Sequence, residues 1–340
     1  MSKGYSVAVL GATGLVGETL ISILEERDFP VSRFVPLASA RSAGKSVRFR
    51  GEDIPVQDVE KFDFAGVRIG LFSAGGSVSA EHAPRAAAAG CVVVDNTSKF
   101  RYEADVPLVV PEVNPEAIAA YTSRNIIANP NCSTIQMMVA LKPIYDAAGI
   151  TRINVATYQS VSGAGRRYME TLRQQAGRSL GGEQLLPEGG VKPIAFNVIP
   201  HIDEFQPNGY TKEEMKMVWE THRILGDDSI RVNPTAVRVP VYFGHSEAIH
   251  VETRRKISAA EVRELLSRAP GVTVLDEARP GGYPTALTEA ARRDQVFVGR
   301  IREDISSERG IDLWVVADNI RKGAALNSVQ IAEILVSEYF

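Results

Sequence analysis

The residues best able to do chemistry gather around one cysteine. Asn129-Pro130-Asn131-Cys132-Ser133-Thr134 follows a short apolar strand over 125–128 and precedes a helical pattern over 135–147. Cys132 therefore stands at or near a helix N-terminus, where orphan backbone N–H groups and the helix dipole favour negative charge. A thiol in that place is partly thiolate at neutral pH and can act as a nucleophile. Pro130 stiffens the approach, and Asn131 or Ser133 can cap the helix. The competing reading is an inert buried cysteine, which is what Cys91 is expected to be beside Val92, Val93 and Val94. The second reactive candidate is His245, at the tip of the turn Gly244-His245-Ser246 before a strand over 248–252. His82, His201, His222 and His250 have no comparable setting.

Charged and polar residues stand where a small anionic substrate would need them. A strand over 235–243 puts Val237, Val239 and Val241 on one face and Ala236, Arg238 and Pro240 on the other. An arginine in so apolar a strand needs an anionic partner, and a substrate carboxylate matches its planar fork. A strand over 154–158 runs into a polar, glycine-bearing turn that can set Gln159 beside a substrate. Thr211 is a candidate N-cap for a helix reaching about Leu225, with Glu214 as its capping-box acid. Glu213 and Lys216 share a face of that helix, and spacing by itself reads them as an exposed ion pair. Arg101 leaves a strand over 91–95 at the edge where ligands collect in open α/β sheets, as an anion site or as surface charge.

The elements that position these groups begin with a strand over 5–10, the turn Gly11-Ala12-Thr13-Gly14-Leu15-Val16-Gly17, and a helix carrying Leu20, Ile21, Ile23 and Leu24. Strand, glycine turn and helix are what a dinucleotide pyrophosphate requires. After the second strand, over 34–38, no acid is present for a ribose 2′-OH. Arg41 and Ser42 stand there instead, which favours NADP over NAD. The alternative for Arg41 and Lys45 is a solvated loop. A third strand over 67–72 and a helix over 79–89 follow. Beyond about Asn131 the βαβ pattern gives way to longer strands, so a second, α+β domain is expected. The glycine-rich stretch 177–190 reads as a mobile loop or an exchange arm between subunits. Strands over 297–301 and 311–316 precede a closing helix over 319–336 that is expected to return to the first domain. The expected division is 1–130 with 319–340, against 131–318.

Composition removes several classes. The 340 residues are 44% hydrophobic and carry a net charge of −3, so a sizeable core is available and nothing points to nucleic acid or an anionic membrane. Two cysteines form no disulfide framework and suit a reducing cytoplasm. A first strand at Tyr5 leaves no room for a signal peptide, no apolar run has membrane-spanning length, and no metal-site spacing occurs.

A cysteine nucleophile, a histidine, a nicotinamide-binding pattern and arginines for anions together imply thioester redox chemistry, in which sulfur holds an acyl carbon for hydride transfer. With these motifs in hand, the chain resembles the aspartate-β-semialdehyde dehydrogenase family over essentially its whole length. The resemblance rests on the 11–17 turn, 40–45, 129–134, 158–165, 213–216, 238–241 and 244–246. It implies a Rossmann-type NADP-binding domain with an α+β catalytic and dimerisation domain, and a homodimer or homotetramer. It also implies reduction of L-aspartyl 4-phosphate to the semialdehyde with release of phosphate, on the route to lysine, methionine and threonine. The resemblance makes Cys132 the nucleophile and His245 its acid/base partner, with Gln159 orienting the acyl group. It gives Arg238 the α-carboxylate, Glu213 the α-ammonium, and Arg101 with Lys216 the phosphate, displacing the exposed-ion-pair reading. Thr13, Gly14, Leu15, Val16, Arg41, Ser42, Ser162, Gly163 and Asn319 become NADP contacts. A sister reductase acting on N-acetyl-glutamyl phosphate would carry Gly before the cysteine, where this chain has Asn131. A non-catalytic NADP-binding module would be expected to lose the Cys or the His.

Overall fold

The computed structural model describes residues 4–187 and 189–340, leaving Met1, Ser2, Lys3 and Glu188 outside it. The chain divides into two compact units, one of 1–131 with 324–340 and one of 132–323. Asn319 therefore falls in the second unit, and the return to the first comes at Ala324 rather than at 319.

The first unit is built on a parallel sheet. Its elements are β1 (Tyr5–Leu10), α1 (Leu15–Glu26), β2 (Val31–Ala38), the hairpin β3 (Ser46–Phe49) and β4 (Glu52–Pro55), and β5 (Gln57–Asp58). They continue with β6 (Ile69–Phe72), α2 (Gly76–Ala88), β7 (Val92–Asp95) and β8 (Ile126–Ala128). The strand order β5-β2-β1-β6-β7-β8, parallel throughout, is the doubly wound order whose ligand crevice opens where the winding reverses, between β1 and β6. Near-continuous apolar runs suit strands covered on both faces: Val7, Val9, Ile69, Leu71, Val92 and Val94 join Leu20, Leu24 and the closing helix in one core.

The second unit holds α3 (Cys132–Ala148), β9 (Ile150–Gln159), α4 (Arg166–Leu180), α5 (Lys212–Leu225), β10 (Arg231–Arg238) and β11 (His245–Thr253). It is completed by α6 (Ala259–Arg268), β12 (Val272–Val274), β13 (Val296–Glu303) and β14 (Gly310–Ala317). Its mixed sheet runs β10-β9-β11-β14-β13-β12, with only the outer pairs parallel. Helix α3 is buried almost all round because it lies against the sheet with α5 and α6 beside it. After β14 a π-helical turn over Arg321–Ala325 leads into α7 (Leu326–Ile334), which packs with α1, β6 and β7 in the first unit.

Three sequence expectations need correction. The strand expected over 235–243 ends at Arg238 and begins at Arg231, because the chain bends through Val239 to Gly244. The alternation survives, with Ala236 and Arg238 both on the buried face. His245 is not at a turn tip: it is the first residue of β11, fully buried and paired with Ala317. The loop expected over 177–190 is helical through Leu180, with Gly177 inside α4, while Glu188 of that stretch lies outside the described residues.

Candidate active site

In the first unit the glycine turn is shaped by close backbone approach. A Cβ on Gly17 would lie 2.1 Å from the Gly11 carbonyl oxygen, and Gly11 itself has φ +88°, so side chains are excluded from the cradle. Helix α1 starts at Leu15 with Gly14 as N-cap and no side chain capping it, which leaves its first-turn N–H groups available to a pyrophosphate. Thr13 Oγ1 donates to Ser42 Oγ at 3.4 Å, tying this turn to the loop after β2 where Arg41 is exposed. These features fit a dinucleotide.

Arg101 is only 7% exposed, which removes the surface-charge reading. Its Nε donates to the Asn129 carbonyl and its Nη2 to that of Asn96, both at 2.9 Å. Asn129 in turn accepts from Asn327 Nδ2 at 2.8 Å through its side chain. The stretch leading to Cys132 is thus braced by buried polar groups, and Asn129 and Asn327 are residues that sequence reading missed.

In the second unit Cys132 is the first residue of α3 and half-buried. The Arg238 guanidinium feels its charge. Gly323 packs on it: a Cβ there would lie 2.7 Å from Cys132 Cβ. A glycine inside a closing helix is the sequence signal that could have found this contact. Cys91, by contrast, is fully buried and its thiol is pushed up to about 12 by that burial, so it is inert at neutral pH.

Around Cys132 the expected groups are joined in one network. Gln159 Nε2 donates to Glu213 Oε1 at 3.1 Å, and Gln159 Oε1 accepts from Thr157 Oγ1 at 3.0 Å. Lys216 Nζ bonds Glu213 at 2.8 Å and Asp203 at 2.7 Å. The ion pair read from spacing exists but is largely buried, with side-chain exposures of 11% and 8%. Burial works against the Lys216 charge, yet Glu213 and Asp203 outweigh it and hold the ammonium above its ordinary range. The capping box of Thr211 and Glu214 is present. Glu214 also accepts from the Ala236 N–H at 2.9 Å, which locks the start of α5 to β10 beside Arg238.

Arg238 Nη1 donates to the Ser160 carbonyl at 2.7 Å. Burial lowers the guanidinium pKa, while Glu213 and Cys132 support its charge. Ser162 is buried beside Asn319, which donates from Nδ2 to Ser162 Oγ at 3.0 Å. A Cβ on Gly163 would sit 3.1 Å from Arg238 Nη1 and 3.3 Å from His245 Nε2, so that glycine keeps the space over both open. His245 is held neutral at physiological pH: burial first, and the Arg238 charge second, lower it to about 3.

Glu247, two places along β11, is a buried acid with no counterpart in the sequence expectations. Burial raises its carboxyl well above 4.5, opposed only by Gln136. Among the described residues neither Glu247 oxygen nor Gln136 Oε1 has a geometric donor, and a proton on Glu247 supplies one. The folded state then keeps a proton that the unfolded chain loses above about pH 4.5, so this acid costs stability increasingly as pH rises. Glu247→Gln is expected to raise the melting temperature at neutral pH. The gain should grow by about 1.4 kcal/mol per pH unit until the wild-type acid ionises in the fold. Thermal unfolding of both proteins from acid to neutral pH checks this, and a gain that persists unchanged below pH 4.5 would contradict it.

Comparison with known proteins agrees with this geometry. Residues 6–121 match the model of the semialdehyde dehydrogenase NAD binding domain, and 141–322 that of the semialdehyde dehydrogenase dimerisation domain. These two define the class as semialdehyde dehydrogenases, which use a nicotinamide dinucleotide and self-associate. Aspartate-semialdehyde dehydrogenase of Shewanella sp. (strain DB6705) is 62% identical over 340 residues, covering all of both chains. That of Bacillus subtilis is 48% identical over 98% of each. Aspartate semialdehyde dehydrogenase II of Vibrio cholerae, solved in complex with ASA, superposes with a TM-score of 0.97 at 59% identity over the full length of both chains. The Candida albicans enzyme solved with NADP gives 0.75 at 28% identity over 98% of each. The chain belongs to the aspartate-semialdehyde dehydrogenase family.

Proposed function

We propose that this chain carries out the NADP-dependent reductive dephosphorylation of L-aspartyl 4-phosphate to L-aspartate 4-semialdehyde through a thioester on Cys132. It would do so in the cytoplasm as a homodimer or homotetramer, in the synthesis of lysine, methionine and threonine. The observation that carries this reading is the buried network of Gln159, Glu213, Lys216 and Arg238 around a cysteine at a helix start. It brings together one arginine, one glutamate and one lysine, residue types that suit a carboxylate, an ammonium and a phosphate.

The Cys132 thiolate attacks the acyl carbon, the C–O bond to phosphate breaks, and phosphate leaves with the electron pair. A nicotinamide cofactor, when bound, would supply a hydride to the thioester carbon; the C–S bond then breaks, releasing the semialdehyde and returning the Cys132 thiolate. Gln159 orients the acyl group, and His245 is the acid/base partner. Arg238 grips the α-carboxylate through its fork and Glu213 the α-ammonium. Arg101 and Lys216 are the cations that the family resemblance assigns to the phosphate. Thr13, Gly14, Leu15, Val16, Arg41, Ser42, Ser162, Gly163 and Asn319 are the residues this reading assigns to the cofactor.

The test is phosphate-dependent reduction of NADP with aspartate semialdehyde, its N-acetylated form and N-acetyl-glutamate semialdehyde. An acetylated nitrogen leaves Glu213 without its ammonium, so aspartate semialdehyde should lead by at least about tenfold in kcat/KM. Equal use of the three aldehydes would refute the assignment. In the same assay Arg41→Ala should weaken NADP by about 1.5 kcal/mol, the lower end for a charged hydrogen bond because Arg41 is exposed. NAD should lose much less; equal losses would remove the 2′-phosphate role.

A further inference from the structure

Glu247 and Gln136 have no part in the chemistry described above, and both are fully buried. Gln136 is in α3, four residues after Cys132, and Glu247 is in β11, two residues after His245. Four residues of helix rise about 6 Å and return to nearly the same face. Two residues of strand advance about 6.6 Å and also return to the same face. Burial along β11 alternates from Glu247 onward, with Ile249 and Val251 on the covered side, and α3 packs against this strand. Gln136 and Glu247 therefore stand one step further along the same two elements than Cys132 and His245.

The two side chains complete one another. Gln136 Nε2 donates to the His245 carbonyl at 3.3 Å, and only the nitrogen end of an amide can do so. That bond sets the amide's orientation and leaves Oε1 as a buried acceptor. Among the described residues Oε1 has no donor, and neither Glu247 oxygen has a partner. Gln136 is the hydrogen-bonding neighbour of the Glu247 carboxyl. A carboxylic acid has one O–H to give and an amide oxygen takes it, so one proton satisfies groups on both elements.

Resting on the catalytic reading above, we propose that Glu247 and Gln136 are a positioning pair that latches α3 to β11 and so fixes the spacing of Cys132 and His245. The carboxyl holds the amide, the amide holds the His245 carbonyl, and Cys132 stands one helical turn from the amide. The latch grips the backbone of His245 and leaves its ring to acid/base work. Thiolate attack and proton transfer both depend on close placement, and a displacement of about 1 Å can cost about a hundredfold in rate. Loss of the latch should therefore appear in kcat rather than in substrate binding.

The test has two arms, both on the full-length protein. The first needs no substrate. The infrared band of a protonated carboxyl, assigned by its loss in Glu247→Gln, should be present at neutral pH and should shift in Gln136→Leu. Absence of the band, or a band indifferent to Gln136→Leu, overturns the pairing. The second arm is kinetic and uses whichever semialdehyde the enzyme turns over. Glu247→Leu fills much of the same space without a hydrogen bond. It should lower kcat about tenfold or more, with the aldehyde KM within about twofold and a melting temperature no lower than wild type. Glu247→Gln keeps a donor for the amide oxygen and should bring kcat back to within about twofold of wild type. Gln136→Leu breaks the latch from the helix side and should lower kcat as Glu247→Leu does, which keeps the kinetic arm decisive if one variant fails to fold. Wild-type kcat in either leucine variant, or a Glu247→Gln variant as slow as Glu247→Leu, confines the pair to core packing and overturns the proposal. A wrong substrate assignment changes only the aldehyde used and leaves the infrared result intact, so the two failures are separable.

Discussion

Cys132→Ala is expected to lower kcat by about 10⁴-fold or more, the scale on which loss of a covalent nucleophile falls. The cysteine opens α3, whose dipole favours negative charge at that end, and Arg238 adds a positive charge from β10. Alanine keeps the helix and the Cβ that packs on Gly323, so the sulfur is the main loss. Cofactor affinity should therefore hold while turnover disappears. Intact-mass spectrometry of the wild type with substrate should show an acyl adduct that is absent from the variant. Cys91, buried and held protonated, should carry none. An alanine variant keeping more than about a tenth of wild-type kcat would exclude covalent catalysis at this residue.

Arg238→Lys is the second large effect, with an expected fall in kcat/KM of about a hundredfold, or about 2.7 kcal/mol. The guanidinium already gives Nη1 to the Ser160 carbonyl, and the rest of its fork is what a planar carboxylate would meet. A lysine has one point of charge and must choose between the two. Charged hydrogen bonds are worth about 1.5–3 kcal/mol each, so losing the fork and loosening Ser160 together reach this size. Burial also favours loss of the proton from a lysine there, as it already lowers the guanidinium. NADP affinity should not move. Near-normal efficiency would confine Arg238 to holding the Ser160 loop.

Some of this was legible because the physics acts over a few residues. The capping box at Thr211 and Glu214, the glycine turn after β1, the helix start at Cys132 and the inert setting of Cys91 all depend on near neighbours along the chain. The face of Arg238 was also right, because alternation is local, although the end of its strand was not. The bend after Arg238 is set by long-range bonds: Val161 N–H reaches the Val241 carbonyl, and Val239 N–H that of Gln159. No periodicity within 239–243 encodes those partners.

Near neighbours along the chain account for most of the element types, the glycine turn after β1, the helix start at Cys132 and the residue types expected of a site for a small charged substrate. The burial and partners of those residues come from contacts between segments distant in sequence. Glu213 and Lys216 look like a surface pair on a helix, and become a buried one because Asp203 and Gln159 come to them from other elements. His245 looks like a loop residue, and becomes a buried, neutral imidazole at the start of β11, lowered first by burial and then by the Arg238 charge. Burial and hydrogen-bond partners set charge and proton position, and both come from contacts between segments far apart in the chain, such as Ser160 with Asn319. Local propensity carries no information about such contacts; the packing of α3, α5 and the second sheet creates them.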